Sequence, residues 1–588
     1  MDFLGQEKNA SKLFVAAIDF GTSFSGWAYS SSDEYQKEPT KVYVRQWPKG
    51  NLSPKAPTSV LIKPDGKTFE AFGYDAEDRY AQLTDTEDHE SWYYFRRFKM
   101  RLHNMTSINR NFEINDETGK SFRAMTIFAM AINFLKEDLL QQCNTHIVGK
   151  ISSEEITWVL TVPAIWNESA KQFMREAAVE AGIPNDNLKI ALEPECASIF
   201  CRLLKVEKIA GEVGFSLWKE GSQYLVLDAG GGTVDITVHK LQQGQKLQEL
   251  HKASGGAWGG TQVDSAFEQF IIGITGSRVY QTFVECNMED YLLMFRDFEI
   301  KKREVEPGIG YKIIMRFPYS LKEIFEKDSN QDLQEAIRQT RYATGIIFSK
   351  DKLRIEAGLM KQLFQETIDS ITDHVRKLLA KPKVKGTTHI LMVGGFSESK
   401  MLQDAVRNNF PDMKIVVPEE AGLAVLKGAV MYGHCPTAVG TRMARYTYGF
   451  ETEEIFVEGY HDENKKRIEH WKYAHVVFCS HIFTKNVQVG QDISAGEEVC
   501  NGPFVPSDYE ELFFDLKIYA STNKSPKYVT DVDCFKIGTM RVYPDDPSIP
   551  REERRYKIFM AFGGTEIKVR VVEYNTGKTT NATIDFLA

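Results

Sequence analysis

Apolar runs of strand length alternate with stretches of helical period through the first three quarters of the chain, a pattern that predicts an α/β fold. Four such runs, Leu13 to Ile18, Thr157 to Val162, Tyr224 to Leu227 and Ile390 to Val393, each stop at Asp, Pro or Gly. Buried strands of a central sheet read this way, and function gathers at their carboxyl edge. Asn167 is the expected N-cap of a helix whose apolar face, Ala170, Phe173, Met174, Ala177, Ala178 and Ala181, is closed by Gly182. Met360, Leu363, Phe364, Thr367, Ile368, Ile371, Val375 and Leu378 predict a second amphipathic helix. Both are packing features without chemistry of their own.

From about Pro436 the pattern changes to strands. Tyr556 to Phe562, a Gly563-Gly564 turn, Ile567 to Tyr574, an Asn575-Thr576-Gly577 turn and Thr580 to Phe586 predict a three-stranded antiparallel meander. Leu512 to Ala520 alternates likewise, while Asn501 to Ser507 and Tyr543 to Pro550 read as Pro-containing breaks. The expected organisation is an α/β unit at 1–435 and an all-β unit at 436–588, the latter with no helical tail.

Composition narrows the function classes. The 588 residues carry 72 Lys+Arg against 81 Asp+Glu, a net charge of −9 that does not suit a nucleic-acid partner. No run approaches the roughly 18 apolar residues of a membrane span, and the polar start lacks a secretory apolar stretch. A cytoplasmic location is expected, with the nucleus as a second one. The eight scattered cysteines form no C-x-x-C pair, so reduced thiols are expected. Oligomeric state is not legible.

The strongest local signal occurs twice. Ile18-Asp19-Phe20-Gly21-Thr22-Ser23-Phe24-Ser25 and Leu227-Asp228-Ala229-Gly230-Gly231-Gly232-Thr233-Val234-Asp235 each read as strand, Asp, Gly-rich turn, returning strand. Such turns bring main-chain N–H groups close to phosphate oxygens, the hydroxyls of Thr22, Ser23 and Thr233 can add hydrogen bonds, and the aspartates can hold hydrated Mg²⁺. Facing one another, the two would clamp a polyphosphate from both sides. One such turn is equally an ordinary hairpin; two in one chain argue against that. A P-loop is excluded, because Leu61, Ile114 and Val572 stand where the glycine upstream of each Gly-Lys-Ser/Thr would have to be. A third element, Val393-Gly394-Gly395-Phe396-Ser397-Glu398-Ser399, runs from a strand through a side-chain-free turn with room for a purine into a helix capped by Ser397 or Ser399.

These residues resemble the actin, sugar-kinase and heat-shock ATPase superfamily, and within it the 70-kDa heat-shock proteins. Thr161-Val162-Pro163-Ala164-Ile165-Trp166-Asn167-Glu168-Ser169 is similar to that family's TVPA-x-F-N-[DE]-S segment, and Leu192-Glu193-Pro194-Glu195-Cys196-Ala197 to its N-E-P-T-A-A. Gly259-Gly260-Thr261-Gln262-Val263-Asp264 resembles G-G-E-D-F-D, Pro418 to Val430 fits the second connecting motif, and Phe562 to Phe586 looks like the closing strands of the substrate-binding sandwich. Phe95-Arg96-Arg97-Phe98-Lys99-Met100, the altered adenosine turn and the missing lid look most like the divergent branch called heat shock 70 kDa protein 12.

The resemblance implies an actin-like two-lobed ATPase domain with duplicated βββαβα lobes, followed by a lidless β-sandwich. It implies ATP or ADP with Mg²⁺ as ligands and polypeptide clients or protein partners on the β domain. Asp19, Asp228 and Asp235 would line the Mg²⁺ site; Gly21, Thr22, Ser23, Phe24, Gly230, Gly231, Gly232 and Thr233 would contact phosphates, with Gly259 and Gly260 beside them. Glu193 would position or deprotonate the attacking water, aided by Asp19 and Asp228, and Lys171 would relay to the switch proline Pro163. Glu299, Lys302, Arg303, Gly394, Gly395, Phe396 and Ser397 would hold ribose and adenine.

Three departures stand out. Arg96, Arg97 and Lys99 all compete for the family's catalytic lysine. Glu398 stands where an arginine stacks on adenine. Gly433 to Gly440 replaces the acidic-leucine linker between domains. His475, Cys479 and His481 have metal-ligand chemistry on one strand, but one strand supplies poor tetrahedral geometry, so ordinary surface or core roles are favoured over zinc. The expected function is an atypical ATP-dependent chaperone with weak ATPase activity. The rivals are a nucleotide-sensing scaffold with negligible turnover and a small-molecule kinase, the latter disfavoured by Glu193-Pro194 and the β domain.

Overall fold

The computed structural model describes residues 12–49, 53–84, 88–103, 105, 108–146, 150–204, 218–471, 474–505, 513–546, 548–550, 553–582 and 584–587. The chain has a mixed α/β fold of several sheets. In one, the antiparallel hairpin Phe14–Asp19 and Phe24–Ser31 continues in parallel through Ile156–Val162 to Leu188–Leu192. In another, the hairpin Gln223–Ala229 and Val234–Leu241 continues in parallel through His389–Val393 to Lys414–Val416. Asp19 and Asp228 therefore occupy matching places at the carboxyl ends of the first strand of each hairpin. Each sheet has its own apolar core, and a third core lies between them. There Val15, Ala17 and Val159 of one sheet meet Tyr224, Val226 and Leu391 of the other through the helices Glu193–Leu203 and Ala424–His434. That shared core fixes the spacing of the two carboxyl edges.

Asn167 caps the helix Glu168–Glu180 as expected, accepting from Ala170 N at 2.9 Å. The second expected helix is not continuous. It is divided into Ala357–Gln362 and Gln365–Leu379 around Phe364, which is drawn fully into the core. Ser399, not Ser397, holds the N-cap position of Lys400–Asn409, without a side-chain bond to the helix.

The chain after Val439 folds mainly as two sheets. Lys466–Trp471, Ala474–Val487, Thr447–Ile455, Phe514–Ser521 and Cys534–Val542 form one in that order; Glu498–Phe504, Tyr556–Ala561, Lys568–Glu573 and Thr579–Ala582 form the other. Phe450, Ile518 and Met540 of the first and Ile558, Met560 and Val569 of the second share one core. The expected meander is present, but its last strand ends at Ala582. Asp585 instead bridges Thr539, and Leu587 is buried in the core of the first hairpin's sheet. The break expected from Asn501 is part of a strand, Glu498–Phe504, because Pro503 sits in a register shift between Asn501 and Phe504 where no ladder N–H is required; Pro506 and Ser507 lie outside the described residues.

The segment that stands in place of the family's linker, Gly433 to Gly440, leads from the helix Ala424–His434 into a strand. Val439–Met443 adds in parallel to Leu247–Gly256 at the edge of the second hairpin's sheet, and Asp492–Ser494 pairs antiparallel beyond it. Strands from the C-terminal region thereby complete a sheet of the N-terminal one. Among the described residues no helix is long and apolar enough to cross a membrane. All eight cysteines are free thiols.

Candidate functional site

The two Gly-rich turns face one another at contact distance. A Cβ on Gly231 would lie 2.4 Å from Ser23 Oγ, and one on Gly232 would lie 2.5 Å from Thr22 Oγ1, so side chains there would force the turns apart. The first turn is held by Gly21 N donating to Ser25 Oγ at 3.1 Å and by Thr58, whose hydroxyl donates to Gly21 O at 2.8 Å and whose N–H donates to Ser23 O at 2.9 Å. The second is held from behind: Gly259 N, Gly260 N and Thr261 N donate to Gly232 O, Gly230 O and Gly231 O. Gly259 and Gly260, expected beside the phosphates, thus brace the turn that would touch them.

Three buried aspartates and the largely enclosed Glu193 gather near these turns with two lysines. Lys55 Nζ lies 2.6 Å from Asp19 Oδ2, while Thr161 Oγ1 donates to Asp19 Oδ1 at 2.8 Å. Burial alone would raise the Asp19 carboxyl, but Lys55, with Lys99 and Thr161, holds it below its ordinary range. Glu193, first residue of the helix Glu193–Leu203, receives Lys99 Nζ at 2.8 Å, and Lys99 also lies over the Trp166 ring. Burial, reinforced by the charges of Asp19 and Asp235, pushes Glu193 up to about 7.

Of the three residues competing for the lysine role, Lys99 is the one beside Glu193. Arg97, in left-handed conformation at φ 52°, turns away to Asp264 Oδ2 at 2.7 Å, and Arg96 lies over the Tyr291 ring.

Asp228 and Asp235 sit opposite. Burial and the neighbouring carboxylates Glu193, Asp235 and Asp19 push Asp228 well above its usual range, and its Oδ2 has no hydrogen-bond partner among the described residues. Asp235, also raised by burial, accepts from Ile165 N at 2.9 Å, which ties the second hairpin to the Pro163-Ala164-Ile165 segment. Four carboxylates against two ammonium groups, one carboxylate oxygen orphaned, are donors suited to a hard cation. Among the described residues, however, no three acidic, cysteine or histidine side chains converge on one point.

At the turn expected to face adenosine, Gly394 has φ 86°, and its missing Cβ lets the turn close on Asp228: a Cβ would lie 2.4 Å from Asp228 Oδ1. Gly395 faces open space. Phe396 and Ser397 are buried behind it, and the Ser397 hydroxyl is unpartnered among the described residues. Glu398 accepts from Gly422 N at 3.0 Å, bracing the turn from the place of the expected stacking cation. Lys302 bridges Asp264 Oδ1 at 2.7 Å and Glu299 Oε2 at 2.5 Å, whereas Arg303 pairs with Glu299 at 2.8 Å and lies 5.9 Å from the Phe24 ring centroid. Arg303 over Phe24 and Arg97 on Asp264 thus tie the first hairpin and the Arg97 turn to the helices Thr261–Thr275 and Met288–Glu304.

The remaining expected residues connect to the C-terminal region. Lys171 Nζ donates to Thr565 O at 3.1 Å and to Glu168 Oε1 at 2.8 Å. Arg175 pairs with Glu566, and Arg110 with Glu176 and Asp585. Sequence reasoning passed over the strongest of these connections. Arg442 makes a buried bidentate pair with Glu195, at 2.7 and 2.6 Å, two residues beyond Glu193. Arg445 donates to Ile165 O at 2.9 Å. Lys55 was missed as well, since nothing local distinguishes a lysine between two prolines.

The zinc alternative receives no support from the two described side chains. Cys479 is buried with Ile482 and Tyr528, whereas His481, at φ 63° in a β-bulge, swings out to Glu451 at 2.6 Å. The side chain of His475 lies outside the described residues.

The family model for the Hsp70 protein matches residues 95–279. Heat shock 70 kDa protein 12A of Mus musculus is 33% identical, over 98% of this chain and 92% of its own length. Heat shock 70 kDa protein 12B of Homo sapiens is 33% identical over 99% of this chain and 92% of its own. Chaperone protein DnaK of Mycoplasmopsis pulmonis is 24% identical over 57% of this chain and 49% of its own length.

Proposed function

Because the chain belongs to the 70-kDa heat-shock protein family, in its divergent 12A/12B-like branch, we propose that it binds ATP and ADP with Mg²⁺ between the two Asp–Gly hairpins and is a slow ATPase acting as an atypical chaperone. In this reading the catalytic unit ends near 435, and the two packed sheets that follow receive polypeptide clients or protein partners. The observation that carries it is the Lys99–Glu193 pair at 2.8 Å, set among Asp19, Asp228 and Asp235.

Backbone N–H groups and hydroxyls of Thr22, Ser23, Gly231, Gly232 and Thr233 would cradle phosphates. Mg²⁺, when bound, offsets charge on the phosphate oxygens. Asp19, Asp228 and Asp235 would hold it through its waters, consistent with the spread of these carboxylates and the orphaned Asp228 oxygen. Glu193, raised to about 7, is poised to orient water and accept its proton near neutral pH. Lys99 would steady the γ-phosphate, and Lys302 and Arg303 would meet ribose and adenine.

The test is nucleotide binding with single-turnover hydrolysis on wild type, Asp228→Ala and Glu193→Gln. Glu193→Gln is expected to bind normally while hydrolysis falls about 10²- to 10⁴-fold. Asp228→Ala is expected to lose Mg²⁺-dependent binding. Wild type that binds but turns over no faster than Glu193→Gln establishes the scaffold reading instead. The Arg442–Glu195 clamp beside Glu193 favours that second reading, because it gives the nucleotide site a direct mechanical readout.

A further inference from the structure

We propose that Lys55 is a built-in counter-ion for the nucleotide phosphates, so that this chain keeps much of its nucleotide affinity when divalent metal is removed. The inference rests on the nucleotide-binding reading above and concerns how the charge of that ligand is met.

Lys55 is placed by the backbone. Ser53 Oγ donates to Lys55 O at 2.7 Å and accepts from Lys55 N at 3.3 Å, forming a small turn around Pro54. Ala56–Pro57 then pairs with Phe24 and Ser25, and Thr58 bonds Gly21 O and Ser23 O, so the segment runs alongside the first phosphate turn. Gly26, the register partner of Asp19, makes this approach possible: a Cβ there would lie 3.0 Å from both Pro54 O and Lys55 Cγ. Crossing Gly26, the Lys55 side chain reaches Asp19 Oδ2 at 2.6 Å.

The ammonium ends within the carboxylate cluster and feels the charges of Asp228 and Glu193 as well as Asp19. Its side chain is only 19% exposed, and its ion-pair partner Asp19 also accepts from Thr161 on the other oxygen. Lys55 can therefore turn its charge toward a phosphate at the Thr22-Ser23 turn without leaving Asp19 unsupported. A charge-assisted bond of this kind strengthens binding by about tenfold to a hundredfold. Lys99 pairs with Glu193 instead, so the two lysines bring their charges to the cluster from different partners.

The experiment is calorimetric titration of ADP and ATP into the full chain, in excess Mg²⁺ and in excess EDTA, for wild type, Lys55→Met and Lys55→Arg, with thermal melts to verify folding. Chelation is expected to weaken wild type and Lys55→Arg by about tenfold or less, and Lys55→Met by at least tenfold more than wild type. A chelation penalty equal in wild type and Lys55→Met overturns the inference and leaves Lys55 as a structural partner of Asp19. So does a wild-type penalty beyond about a hundredfold, which needs no variant to fold. Wild type that binds no nucleotide even with Mg²⁺ overturns the nucleotide reading itself, and this inference with it.

Discussion

The two Asp–Gly hairpins are near repeats in sequence, yet their aspartates live under opposite electrostatics. Asp19 meets a lysine and a hydroxyl, one on each oxygen, and is held charged. Asp228, at the matching strand end, meets the Gly394 turn, which brings backbone and no cation, and its carboxyl is pushed up toward the neutral form. The difference comes from what crosses each hairpin. Gly26 admits a lysine-bearing segment over the first, and Gly394 closes an uncharged turn over the second. The same local motif can thus be a cation-paired anchor on one side and a carboxylate without its own cation on the other, depending on the neighbouring segment. A site whose two walls differ in this way would impose a polarity on a phosphate chain bound between them.

The sharpest way to break this comparison is to make the same substitution on both sides. Asp19→Asn strands the Lys55 ammonium and is expected to cost about 3–5 kcal/mol in metal-free denaturant unfolding. Asp228→Asn removes a carboxyl whose charge burial already disfavours and is expected to change stability by about 1 kcal/mol or less. Equal losses at the two positions would end the distinction.

A second, smaller contrast lies in the turn over Asp228. Gly394→Ala forces a left-handed residue against Asp228 Oδ1 and should lose about 1–3 kcal/mol. Gly395→Ala, whose Cβ meets open space, should stay within about 0.5 kcal/mol on the same unfolding curves.

The third effect is one of pH, on the strand after the second hairpin. Glu249, pushed up to about 7 by burial, with the Glu195 charge adding to it against the Met443 N–H it accepts, binds its proton more tightly folded than unfolded. Its contribution is complete below pH 4.5 and is lost as pH rises to about 7. Melting temperature without metal should fall by a few degrees across that window, and Glu249→Gln should flatten the fall. An unchanged slope in the variant would assign the pH dependence to other groups.

What could be read in advance followed from how local each signal was. The strand ends at Asp19 and Asp228, the Asn167 cap and the first two strands of the meander are short-range patterns, and each formed where expected, whereas the meander's last strand stops at Ala582. Lys99 was visible only as one of three cations, because the choice among them depends on a turn that sends Arg97 outward through positive φ. Lys55 and Asp19 are far apart along the chain, and their meeting depends on a segment crossing Gly26, which has no periodicity. Val439–Met443 carries too few apolar residues to signal a sheet strand. Its place is set by its ladder to Leu247–Gly256 and by the distant carboxylate of Glu195.

That last strand bears on how the molecule can be taken apart. A fragment cut at 435 would carry off the edge of someone else's sheet, with the backbone of Val439–Met443 bare and the Arg442 guanidinium parted from Glu195. The part left behind would expose Leu247–Gly256 as a new open edge, and bare edges seek other chains. Both halves would tend to clump when made alone, and mixing them should restore solubility by zipping one strand. The two regions are in that sense a single inherited object, divisible in sequence and joined in the ladder.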